Sequence, residues 1–125
     1  MKKILYVEND ERLQFLIREE LGSDNYEVIT ASNGKDALDI LFNGGENSID
    51  LIIMDIHMPK MDGMDTIGHI LKSELDKPLI VYTGYSSYKE DALAMSADAY
   101  ILKSHDLSEL KETIHNLIGK HQGKG

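Results

Sequence analysis

The sequence contains no cysteine among its 125 residues. This absence excludes disulfide bonds, thiolate zinc sites and thiol nucleophiles, and it suits a reducing compartment. Long hydrophobic runs are also missing, because none approaches the ~20 residues that a helix needs to cross a bilayer. The apolar run over residues 4–7 is too short for the core of a signal peptide. We therefore expect a cytoplasmic protein without a membrane segment.

Positive charge is scarce as well, since 13 Lys and Arg stand against 22 Asp and Glu and give a net charge of −9. Direct binding to nucleic acid or to an anionic membrane depends on clustered cations, and this balance argues against both. A hydrophobic content of 42% in a chain of this length fits one globular domain with its own core. We predict a domain over residues 1–119 and a flexible, Gly- and Lys-rich tail over residues 120–125.

Short apolar runs alternate with amphipathic stretches along the chain. The predicted strands occupy residues 4–7, 26–31, 49–55, 79–82 and 99–102, and the run over residues 51–54 is apolar without alternation, as expected for a strand covered on both faces. Apolar residues at helical spacing follow them within residues 11–21, 33–44, 64–75, 87–96 and 106–118. This (βα)₅ pattern predicts an α/β fold in which a parallel five-stranded sheet has helices on both faces.

Polar residues stand at the ends of four predicted strands. In chain order they are Glu8, Asp55, Thr83 and Lys103. Ligands of an open parallel sheet bind beyond the carboxyl ends of the strands, so we expect these side chains to share one site. The competing interpretation is that each is an ordinary turn, cap or rim residue.

The two carboxylates of this set need a cation nearby. At ~4 Å apart they would repel by roughly 4 kcal/mol at an effective dielectric of 20. Lys103 can supply one positive charge, and a divalent ion can supply two. Oxygen ligands with retained waters suit Mg²⁺. A metal-neutralised Asp55 is a candidate nucleophile toward phosphorus, and Thr83 and Lys103 can bind the oxygens of the resulting acyl phosphate.

Four segments of the chain resemble the receiver domain of two-component response regulators, in particular the chemotaxis regulators. They are residues 4–11, 50–64, 81–84 and 100–103, with the sequences ILYVENDE, DLIIMDIHMPKMDGM, VYTG and YILK. The resemblance covers roughly residues 2–118. It implies a flavodoxin-like fold with the strand order 2-1-3-4-5.

The resemblance also implies roles for the residues of the site. Asp55 would accept a phosphoryl group from a histidine kinase or a phosphotransfer protein. Glu8, Asp55 and the backbone carbonyl of His57 would hold Mg²⁺, and Asn9 would offer a further carbonyl oxygen. Lys103 would pair with the carboxylate and then with the phosphate.

A conformational switch is implied as well. Thr83 would move toward the phosphate and vacate space for Tyr100, which would change a protein-binding surface on the last two predicted helices and the fifth strand. Gly84 would leave the phosphate open to solvent, and His57 and Tyr85 would tune the lifetime of the phosphoryl group. We expect a phospho-acceptor with slow self-catalysed phosphorylation and dephosphorylation, not an enzyme, with a protein as its downstream partner.

Position 9 departs from the family pattern, because the family usually has an aspartate there that binds the metal directly. Asn9 carries no charge, so we expect weaker Mg²⁺ binding. This departure keeps open an alternative function, that of a pseudo-receiver which binds partners and is never phosphorylated. A phosphatase of the haloacid dehalogenase type is disfavoured, since it needs a second aspartate two residues after the nucleophile, where this chain has His57.

Overall fold

A computed structural model describes residues 1–43, 49–56, 63–73, 76–84 and 96–122 of the chain. The strands are β1 (Lys2–Val7), β2 (Tyr26–Ala31), β3 (Leu51–Met54), β4 (Leu79–Thr83) and β5 (Ala99–Leu102). Within the described residues the helices are α1 (Glu11–Gly22), α2 (Gly34–Asn43), α3 (Gly63–Lys72) and α4 (Ser108–Gln122). The helix predicted over residues 87–96 lies, except for Ser96, outside the described residues.

The five strands form one parallel sheet in the order β2-β1-β3-β4-β5. The flavodoxin-like α/β fold and its strand order are therefore confirmed. The order reverses between β1 and β3, where Val7 is in register with Met54. The residues that follow these two, Glu8 and Asp55, thus leave the sheet side by side at the point where such folds bind ligands.

The sheet is covered on both faces. One core cluster contains Ile4 and Tyr6 of β1 together with apolar residues of α1 and α4, and a second contains Leu5 and Val7 with residues of α2 and α3. All four of these β1 side chains are fully buried. Because side chains alternate along a strand, Glu8 continues the row of Ile4 and Tyr6 on the α1 side.

Capping side chains define the helix starts beside the site. The Asp10 carboxylate accepts the Arg12 N–H at 2.9 Å at the start of α1. At the start of the last helix, the Ser108 N–H donates to the Asp106 carboxylate at 2.9 Å. Leu16 is one of the apolar residues at helical spacing within residues 11–21, yet it is 46% exposed, since the buried stripe of α1 runs through Gln14, Ile17 and Leu21.

The last helix runs to Gln122, three residues beyond the domain boundary predicted at residue 119. Residues 123–125 lie outside the described residues, so the flexible tail over residues 120–125 stays a prediction. No helix in the described ranges combines the length and the apolar character that a membrane-spanning segment needs.

Candidate functional site

Three predicted site residues meet at the carboxyl ends of β1, β3 and β5. The ammonium of Lys103 donates to Glu8 Oε1 at 2.5 Å and to Asp55 Oδ2 at 2.9 Å. Lys103 stands 95 residues from Glu8 and 48 residues from Asp55 in the chain, so the fold alone brings the three together. Their contact places two carboxylates around one cation.

Backbone hydrogen bonds fix the strand ends that carry the two carboxylates. The Glu8 N–H donates to the Ala31 carbonyl at 2.9 Å, and the Asp55 N–H donates to the Val7 carbonyl at 3.0 Å. The sheet ladder therefore extends to both acidic residues. A site on such a rigid edge holds its side chains more firmly than a site on a free loop does.

The electrostatic balance of the site is negative. Glu8 and Asp55 are 1% and 5% exposed, whereas the Lys103 side chain is 21% exposed. Burial disfavours the charge on Lys103, but the hydrogen bonds and charges of Asp55 and Glu8 outweigh it, and the pKa of Lys103 lies above its usual value. One ammonium thus faces two carboxylates, and a second cation would complete the charge balance.

The buried side chain of Tyr6 also contacts the site. Its hydroxyl donates to Glu8 Oε1 at 3.0 Å, while the Asp10 N–H donates to Glu8 Oε2 at 3.2 Å. Burial, followed by the negative charge of Glu8, raises the pKa of Tyr6 above its usual value. Sequence reasoning missed this contact, although residues two apart on a strand share a face.

Gln14 is a second residue that the sequence prediction missed. Its side-chain amide donates to the backbone carbonyl of Glu8 and, at 3.2 Å, to the Ser32 hydroxyl. Gln14 is buried on α1 and so ties that helix to the ends of β1 and β2. A lone amide on the apolar face of a predicted helix was the available signal, because buried amides need hydrogen-bond partners.

The predicted switch residues lie on β4 and β5. Thr83 is fully buried, and its carbonyl accepts the Lys103 N–H at 2.8 Å, which joins the ends of the two strands. Tyr100 is half-buried and packs against the core cluster on the α2 and α3 side. Gly84 is exposed, and beyond its own atoms and its chain neighbours no atom of the described residues lies within 4 Å of the point that a Cβ would occupy there.

Of the described residues beside the site, Asn9 and the Asp10 carboxylate take no part in the contact with Lys103. Asn9 is exposed, directly after Glu8. Asp10 caps α1, so its carboxylate serves the helix start. His57 and Tyr85 lie outside the described residues, and their roles stay predictions.

The donor set at the site suits a hard divalent cation. Oxygens of Glu8 and Asp55 lie within hydrogen-bond distance of one nitrogen, so they already surround a position for positive charge. Among the described residues no group of three or more His, Cys, Asp or Glu side chains is placed to hold a metal ion. Mg²⁺ fits such a pair, because it commonly uses one or two carboxylates and keeps several waters.

Comparison with known proteins agrees with this geometry. The family model of the response regulator receiver domain matches residues 4–115. The transcriptional regulatory protein CpxR of Escherichia coli is 35% identical over 120 residues, which make up 94% of this chain and 50% of CpxR. The chain spans about half the length of the curated relatives it matches.

Solved receiver structures share the fold. The response regulator TrrA of Thermotoga maritima, crystallised with Mg²⁺-BeF, is 39% identical with a TM-score of 0.87, covering 94% of this chain and 99% of TrrA. TrrA has also been crystallised with the histidine kinase ThkA. A CheY-like receiver domain protein of Methanospirillum hungatei has a TM-score of 0.89 at 26% identity, covering 100% and 99% of the two chains. With the family model matched over most of its length, the chain belongs to the response regulator receiver domain family.

Proposed function

We propose that this protein is a phosphorylation switch in which Asp55 accepts a phosphoryl group from the phosphohistidine of a histidine kinase or a phosphotransfer protein. The observation that carries the proposal is the contact of a buried Asp55 with the Lys103 ammonium, which Glu8 shares. TrrA, a relative of the same family, has been crystallised with a histidine kinase and with Mg²⁺-BeF. Both findings support a partner and a cofactor of these kinds.

The transfer step follows from the chemistry of the site. An oxygen of the Asp55 carboxylate forms a bond to phosphorus, and the bond between phosphorus and the imidazole nitrogen breaks. The electron pair of that bond stays on the imidazole, which takes up a proton. Lys103 is placed to neutralise a phosphoryl oxygen, because its ammonium already contacts the attacking carboxylate.

Mg²⁺ would be held by Glu8, Asp55 and the backbone carbonyl of His57, with Asn9 as a neutral donor. When bound, the ion supplies positive charge that neutralises the phosphoryl oxygens during transfer. The chain's own contribution is to bury Glu8 and Asp55 and to hold their carboxylates close to the same cation position.

The output of the switch is a change in a protein-binding surface. The phosphoryl group brings up to two negative charges, which draw the Thr83 hydroxyl and let Tyr100 occupy the space behind it. Gly84 keeps the phosphate accessible, and His57 and Tyr85 set its lifetime. The chain then works as chemotaxis regulators do, as a phospho-acceptor without enzymatic turnover, with residues 1–119 as the domain and residues 120–125 as its tail.

A pseudo-receiver that is never phosphorylated is the second candidate function. Asn9 favours it, because an amide at this position contributes no charge to a metal site. Glu8 and Asp55 favour the phosphorylated switch, since they supply two buried carboxylates without Asn9.

Titration with beryllofluoride, an analogue of the phosphoryl group, tests the proposal. We expect a saturable change in tyrosine fluorescence that requires Mg²⁺ and disappears when EDTA is added. Asn9→Asp should lower the Mg²⁺ dissociation constant on the order of tenfold, because a charged ligand replaces a neutral one. Asn116→Asp, which adds the same charge on the exposed side of α4, is the matched control and should change nothing.

The pseudo-receiver predicts a different pattern. In that case the unaltered protein shows no saturable response at any Mg²⁺ concentration, and a response in Asn9→Asp alone would identify Asn9 as the cause. A lack of response in both proteins would contradict the proposed phosphorylation site itself.

A further inference from the structure

Tyr6 combines full burial with a polar tip that faces the site. Its ring lies in the core, 6.5 Å from the ring of Tyr82 and tilted by 52°. A buried tyrosine hydroxyl needs a hydrogen-bond partner, and here the partner is the carboxylate of Glu8 at 3.0 Å. The hydroxyl is therefore held from the core side, while the carboxylate it binds belongs to the rim of the sheet.

The donors around Glu8 divide unequally between its two oxygens. Oε1 accepts both the Tyr6 hydroxyl and the Lys103 ammonium, whereas Oε2 accepts the Asp10 N–H at 3.2 Å. A carboxylate has about four acceptor positions. Among the described donors, Oε2 thus receives one, and it retains acceptor capacity for a cation.

We infer that Tyr6 is a positioning residue that holds the Glu8 carboxylate for cation binding. Tyr6 and Lys103 fix Oε1 from two directions, so the carboxylate loses its freedom to rotate and presents Oε2 in one orientation. The inference rests on the proposed function, because the cation it concerns is the Mg²⁺ of the phosphorylation site. It extends that function to a core residue that does not touch the phosphoryl group.

The orientation of the Glu8 carboxylate matters because of the two side chains that follow it in the chain. With Asn9 neutral and the Asp10 carboxylate engaged as the cap of α1, Glu8 is the acid of this loop that contacts Lys103. Loss of a group that hydrogen-bonds to a metal ligand typically weakens metal binding by about 10–100-fold. We expect an effect at the low end of that range, about tenfold, since Lys103 still holds Oε1.

The test compares Mg²⁺ binding by the unaltered protein, Tyr6→Phe and Tyr26→Phe, measured by isothermal titration calorimetry. Tyr6→Phe removes the hydroxyl and keeps the ring that packs near Tyr82. Tyr26 is the matched control, because it packs against the same core cluster but is in register with Lys2, at the opposite end of β1 from Glu8. A thermal melt of each variant separates positioning from stability.

If Tyr6 positions the Glu8 carboxylate, the Mg²⁺ dissociation constant should rise about tenfold in Tyr6→Phe. It should stay within about twofold of the unaltered protein's value in Tyr26→Phe. It also predicts a slowly exchanging hydroxyl proton in the metal-free NMR spectrum that is lost in Tyr6→Phe. A merely structural role would lower the melting temperature and leave the dissociation constant unchanged, and this result would overturn the inference.

The experiment distinguishes failure of the positioning role of Tyr6 from failure of the proposed function. If Mg²⁺ binds and Tyr6→Phe weakens it, but acetyl phosphate does not label Asp55, the proposed function fails and the positioning role stands. If labelling and Mg²⁺ binding are both the same in Tyr6→Phe as in the unaltered protein, the positioning role alone is overturned. A protein that binds no Mg²⁺ would overturn both.

Discussion

Asp55→Asn abolishes labelling of the protein by a small phosphodonor such as acetyl phosphate. The carboxylate of Asp55 is the proposed nucleophile, and an asparagine amide cannot form the acyl phosphate. The shape of the side chain is almost unchanged, so the sheet edge around it should persist. We expect incorporation, followed by intact-protein mass spectrometry in the presence of Mg²⁺, to fall to the level of a sample without donor.

Asp65→Asn is the matched control for this experiment. Asp65 is an exposed aspartate in the first turn of α3, and its loss should leave labelling at the level of the unaltered protein. Labelling that persists in Asp55→Asn would move the acceptor to another residue and contradict the proposal.

Lys103→Met should lower the free energy of unfolding by about 2–3 kcal/mol near neutral pH. Removing one partner from a buried ion pair typically costs about 3–5 kcal/mol, and we reduce the figure because 21% of the Lys103 side chain is exposed. Two buried carboxylates would then repel each other without an ammonium between them. Urea unfolding followed by circular dichroism measures the difference.

The pH dependence of this effect has a defined sign. Because the pKa of Lys103 is raised above its ordinary 10.5, its stabilisation is present at all pH values below that and is lost only as the pH rises through the folded-state pKa. The deficit of Lys103→Met should therefore stay constant from neutral pH upward and shrink only as the pH passes through the folded-state pKa of Lys103.

Lys111→Met provides the comparison for a surface position. Lys111 bridges Glu20 at 3.1 Å and Asp24 at 3.4 Å, and both acids are well exposed. Exposed ion pairs contribute little to stability, because solvent screens them, so this variant should lose much less stability. Equal losses in the two variants would show that the Lys103 contacts are not the strong electrostatic element of the fold.

The strands, and the acidic residues at the carboxyl edge of the sheet, could be predicted from the sequence for one physical reason. Strands buried on both faces appear as uninterrupted apolar runs, as residues 51–54 and 79–82 do. Residues 26–31 and 99–102 were assigned as strands with the bounds that the structure has. The residues after such runs fall on the carboxyl edge of the sheet, which is why the contact of Glu8, Asp55 and Lys103 could be expected.

The hydrogen bonds from Tyr6 and Gln14 to Glu8 were not predicted, because they depend on the direction in which each side chain points. Tyr6 belongs to the apolar run over residues 4–7, yet its hydroxyl donates a hydrogen bond to Glu8. Gln14 interrupts an apolar helix face, and the pattern does not say which carbonyl its amide would bind. Leu16 shares the helical spacing of residues 11–21 but is exposed, because a helical stripe about 100° wide admits neighbouring positions that the packing leaves exposed.

The most direct measurement of the central claim is the chemical location of the phosphoryl group. After the protein is labelled with acetyl phosphate and Mg²⁺, borohydride reduction converts an aspartyl phosphate to homoserine, which peptide mass spectrometry can place in the chain. The proposed switch predicts homoserine at position 55 and at no other aspartate. Homoserine at a different position, or none in protein that binds Mg²⁺, would contradict the account.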